Sequence, residues 1–185
     1  MDGVDVELAR VGAVLLEDRM VRRVIKKHRR LPGIGLQVPH AQCYSLPRAD
    51  LESLVERDEL PLDPAALPAH VALIGGSRAA LAAGDPGELS RAWRAIFHAR
   101  VHQAFDELLA RGTITPASIR ERIHRIGQTE FDEIRSVLRQ EDLLLPPVDD
   151  TTTYTEFVAT YLELQHFAPT ALDRNSFDST LSREP

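Results

Sequence analysis

Apolar residues recur at helical spacing through most of this chain, and the breaks between them are marked by proline and glycine. Val4, Leu8, Val11 and Leu15, then Val14, Val21, Val24 and Ile25, fit one amphipathic helix over residues 4–28. Leu31-Pro32-Gly33 ends it. Pro32, Pro39, Pro47, Pro61, Pro64 and Pro68 then punctuate a stretch expected to be irregular up to residue 84. Within it, Arg48 to Val55 reads as a short helix, and Val71-Ala72-Leu73-Ile74 as a short strand or one buried turn.

The second half is more regular. Asp85-Pro86-Gly87-Glu88 combines a helix cap, a first-turn proline and an acid. A helix from about 87 to 111 follows and stops at Gly112. Thr115-Pro116 opens the next, running to about 142 with a kink at Gly127. Thr153-Tyr154-Thr155-Glu156 has the form of a capping box and predicts a helix over 153–168, closed by Pro169. The expected fold is therefore an all-α helical bundle, with at most one short strand at 71–74. Its base is an antiparallel hairpin over 87–142, joined by the 153–168 helix. By segment, the chain divides into an N-terminal helix with a basic end (1–30), a proline-rich segment (31–84), a helical core (85–170) and a flexible tail (171–185).

Composition supports a helical core, because aromatics make up only 5% and Leu, Val, Ile and Ala carry the apolar mass. No apolar run approaches the roughly 18 residues of a membrane helix, so no membrane insertion is expected. The acidic start lacks the features of a signal peptide, and Cys43 is the only cysteine, so a cytoplasmic location is the expectation. Charge is unevenly spread. The net charge is −6, yet residues 19–30 carry seven cations and no acid, which leaves −13 for the rest. Arg19, Arg22, Arg23, Lys26, Lys27, Arg29 and Arg30 thus form a basic arm on an acidic body, suited to an acidic surface or a protein partner.

The most specific chemistry is His98 and His102, four apart in a predicted helix and so neighbours on one face. Such a pair can grip one metal ion, but Ala99 stands where a zinc-protease helix has its glutamate. The apolar stripe Trp93, Ile96, Phe97, Val101, Ala104 and Leu108 leaves His98 and His102 off its centre, beside the buried face. In the next helix Glu130 falls close to the centre of the stripe Ile119, Ile123, Ile126, Ile134 and Val137, whether or not Gly127 breaks the helix. A buried carboxylate needs a partner. His98, His102 and Glu130 therefore form the candidate site, with zinc or iron as the metal. His124, Glu133 and Glu141 are reserves. A plain hydrogen bond between a histidine and a carboxylate explains the same pattern without a metal.

His40 and Cys43 are spaced like two corners of a zinc site, and Cys43 is also the only candidate thiol nucleophile. The chain has no phosphate loop, no nucleophile elbow, no dinucleotide fingerprint and no Cys-x-x-Cys. These absences favour a non-enzymatic interaction or regulatory module acting through the basic arm. The alternative is a metal-dependent enzyme or metal-stabilised domain using the histidine pair. Nucleic-acid binding through the arm ranks third, because the body is acidic.

Overall fold

The computed structural model describes residues 3–31, 43–146 and 148–170. Pro32, Gly33, Pro39, His40 and the predicted tail 171–185 lie outside these residues. The fold is mixed α/β, although mostly helical, and this corrects the all-α expectation. Eight α-helices accompany one three-stranded sheet among the described residues.

The predicted helix over 4–28 is in fact three elements: α1 (Gly3–Arg10), β1 (Ala13–Leu16) and α2 (Asp18–His28). Gly12 makes the first break with φ +67, a left-handed conformation that other residues adopt only with strain. Ala13-Val14-Leu15-Leu16 follows with every residue buried. A strand covered on both faces is apolar throughout, so periodicity alone cannot separate it from a buried helical turn.

β2 (Cys43–Pro47) and β3 (His70–Gly75) complete the sheet in the order β1-β3-β2. β1 runs parallel to β3, with Val14 opposite Leu73, and β2 runs antiparallel, with Tyr44 also opposite Leu73. Alternation along the strands sorts the core. Val14, Leu16, Tyr44, Leu46, Val71 and Leu73 face α2 and α3 (Arg48–Leu54). Ala13, Leu15, Cys43, Ala72 and Ile74 face the other way, toward α4 (Arg78–Ala82) and the long α5 (Pro86–Ala110). The result is a helix layer on each side of a small sheet.

The C-terminal half is helical as expected, with different packing. Gly127, at φ +106, splits the predicted long helix into α6 (Pro116–Ile126) and α7 (Gln128–Gln140). Helix α8 (Asp150–Phe167) starts three residues earlier than predicted. Asp149 caps it, its side chain accepting the Thr152 amide at 2.7 Å, so the Thr153–Glu156 pattern lies inside the helix. α5 packs along α8 and the sheet rather than making a long antiparallel hairpin with α6. A third apolar cluster joins Phe105, Ile114, Ile119, Ile123, Phe131 and Tyr154 where α5 to α8 converge.

Candidate metal centre

The buried face of α5 is not the predicted one. Ala92, Ala95, Ile96 and Ala99 pack against the sheet, whereas Trp93 is 52% exposed. Alanines score weakly in any hydrophobic stripe, yet their small side chains let a helix backbone approach a sheet closely. This rotation carries His98 inward, to 1% exposure, with His102 on its outer side and half-buried.

Across from them runs α8. Glu156 and Glu163 are seven residues apart, two helical turns, and share one face. Both point at the histidines. His98 Nε2 lies 3.1 Å from Glu156 Oε1, and His102 Nε2 lies 3.1 Å from Glu156 Oε2. The two Nε2 atoms are 3.1 Å apart. On the other edge of the ring, His98 Nδ1 lies 3.0 Å from Glu163 Oε2. Arg94 holds Glu163 in turn, donating from Nε at 2.8 Å. The seam between the two helices is therefore an ordered chain: Arg94, Glu163, His98, Glu156, His102.

Burial and bonding oppose each other here. Burial disfavours the His98 imidazolium, but hydrogen bonds to Glu156 and Glu163 outweigh it and raise its pKa to about 9. Burial also penalises the Glu156 carboxylate, and its bonds to His102 and His98 override that, keeping it well below the usual carboxylate range. Glu163 is likewise held low, by His98 and Arg94 against its partial burial. Without a metal, a protonated histidine bound to two carboxylates accounts for the seam.

The same atoms could hold a metal ion. Three ligands of a tetrahedral zinc at 2.0–2.1 Å stand about 3.3 Å from one another. His98 Nε2 and His102 Nε2 are 3.1 Å apart and each lies 3.1 Å from a different oxygen of Glu156, so one ligand atom from each residue falls within 4.8 Å of the others. Glu163 on Nδ1 fixes His98 in the tautomer that presents Nε2, as carboxylates behind metal-bound histidines do. A cavity of about 180 Å³ opens beside the group, lined by His98, His102, Asp106, Ser45, Thr155 and Glu156 among others.

Sequence reasoning found the histidines but not the carboxylates. Glu130 sits in the first turn of α7, exposed, with its carboxylate folded over Gly127 rather than toward α5. It is not brought to the histidines, because Gly127 ends one helix and starts another in a new direction. His124, Glu133 and Glu141 are exposed as well. Glu156 was legible only as a capping acid. The available signal was the Glu156–Glu163 spacing, which matches two turns just as His98–His102 matches one. Cys43 is buried on the α5 side of the sheet, where burial, and then Glu156 and Glu163, push its thiol up and oppose a thiolate.

The basic arm is α2. Its inner side buries Val21, Val24 and Ile25 under the sheet, and Arg23 donates two hydrogen bonds to Glu59, at 2.8 and 2.6 Å. Arg19 pairs with Glu17 at 2.6 Å. Arg22, Lys27, Arg29 and Arg30 remain exposed, and Lys26 is half-buried. No helix among the described residues is long and apolar enough to cross a membrane. Comparison with family models, with curated proteins and with solved structures gave no match to this chain.

Proposed function

We propose that this protein binds one divalent transition-metal ion between α5 and α8, through His98, His102 and Glu156. The observation that supports this most is the convergence of the two imidazole nitrogens, 3.1 Å apart, on the two oxygens of the Glu156 carboxylate, each at 3.1 Å, with Glu163 behind His98. Two histidines and one carboxylate suit zinc and non-haem iron(II). Three protein ligands leave a coordination position for water or substrate, and the adjacent cavity gives it access. The test is metal loading. Protein purified without chelators, or reconstituted with zinc or iron(II), takes up one equivalent, and His98→Ala, His102→Ala and Glu156→Gln each abolish it.

A second reading concerns α2. Arg22 and Lys27 on α2, and Arg30 just beyond its end, are exposed, which favours docking of an acidic protein surface there. Binding to an acidic partner that vanishes with moderate salt, and with Arg22→Glu plus Lys27→Glu, supports it. Salt-insensitive behaviour contradicts it.

A further inference from the structure

We propose that the metal centre is hydrolytic and that Asp106 is its general base, an inference that rests on metal binding by His98, His102 and Glu156. Asp106 is four residues beyond His102 and eight beyond His98, so the three share one face of α5. Asp106 and His102, four apart, stand about 5–6 Å apart at Cβ, and His98 lies one turn further along. Asp106 lines the same cavity as the three ligands. The other carboxylates of the seam are committed: Glu156 serves as a ligand, and Glu163 is taken by His98 and Arg94. Asp106 has no ion-pair or hydrogen-bond partner among the described residues. It therefore supplies, from the same helix, the base whose place beside His98 is taken by Ala99.

An uncommitted carboxylate beside an open coordination position is what hydrolysis requires. In the step, water on the metal gives one proton to the Asp106 carboxylate. The resulting hydroxide adds to the carbonyl carbon of an ester or amide. The carbon–heteroatom bond then breaks, and the leaving group departs with the proton that Asp106 holds. Water is the only co-reactant. The cavity, about 180 Å³, sets a small acyl group as the substrate portion it can take.

Two probe ligands test this on cobalt(II)-loaded protein, followed by its visible spectrum. Azide reaches the metal without a proton to lose. Acetohydroxamic acid loses its hydroxyl proton on chelation and needs a base to receive it. Both probes should change the spectrum of the wild type. Asp106→Asn should weaken acetohydroxamate by about tenfold, the order expected for one lost charged hydrogen bond, while azide changes by less than about twofold. Asp106→Glu should restore part of the loss, and cobalt content should stay at one equivalent throughout. Equal effects on both probes, no effect on either, or a wild-type spectrum that neither probe alters would overturn the proposal. Wild-type protein that takes no cobalt overturns the metal reading itself, which the metal content reports separately.

Discussion

Glu163 Oε2 lies 3.0 Å from His98 Nδ1, on the side of the ring opposite the Nε2 that faces Glu156 and His102. One carboxylate thus fixes which nitrogen of a buried histidine is presented. Removing its charge leaves the ligand set complete but the ring less firmly oriented. Glu163→Gln should lower metal affinity roughly 10- to 100-fold without abolishing binding. Competition with a chromophoric chelator measures this. Arg94→Ala, which acts only through Glu163, should cost less.

Glu130 separates this site from the one that helix phase alone suggests. Its side chain is exposed at the start of α7 and takes no part in the seam. Glu130→Gln should keep full metal content and a melting temperature within a degree or two of the wild type, whereas Glu156→Gln should lose the metal. Loss of metal in the Glu130 variant, measured by elemental analysis, would favour Glu130 over Glu156 as the third ligand.

The metal-free protein should lose stability as pH rises. The His98 pKa is raised to about 9 in the folded chain, from an ordinary value near 6.5. A raised histidine contributes its stability fully below the unfolded value, and the contribution fades as pH climbs through the folded value. Between about pH 6.5 and 9 the apo protein should therefore lose stability on the order of 3 kcal/mol. Urea denaturation across that range reports it. The metal-loaded protein should show no such loss, since a bound ion needs His98 neutral at Nε2 and gains affinity as pH rises. A flat apo profile contradicts the doubly bonded imidazolium.

Gly127 should resist substitution. Its φ of +106 suits glycine, and a methyl group there would overlap the Glu130 carboxylate. Gly127→Ala should destabilise by about 1–3 kcal/mol, chiefly through backbone strain, because the Glu130 side chain is free to move away. Thermal melting measures it, and metal content should be unaffected in the fraction that folds.

How far this was legible in the sequence can be seen residue by residue. Caps and prolines located the starts of α5 and α6 closely, because Asp85, Pro86, Thr115 and Pro116 act through local geometry, whereas the Thr153–Glu156 pattern marked α8 but not its cap. The sheet was not legible beyond residues 71–74. β1 is a four-residue apolar run and β2 begins at Cys43 in a proline-rich stretch, and both become strands only by pairing with the distant β3. The histidine pair was legible because one helical turn joins it. Its carboxylate partners, 54 and 61 positions beyond His102, were not. Helix phase gives a direction, while the choice between α6, α7 and α8 as the neighbour of α5 is a matter of tertiary packing. The alanines that turn α5 toward the sheet made even that direction misleading, as Trp93 shows.

Metal content decides whether the α5–α8 seam is a metal site. Protein purified without chelators and then dialysed against a single zinc or iron(II) salt should hold one equivalent by elemental analysis. It should melt at a higher temperature than the apo form, and His98→Ala, His102→Ala and Glu156→Gln should lose both properties. Less than about a tenth of an equivalent in the wild type, with no metal-dependent shift in melting, would contradict the account and leave the seam an ion-paired histidine pair.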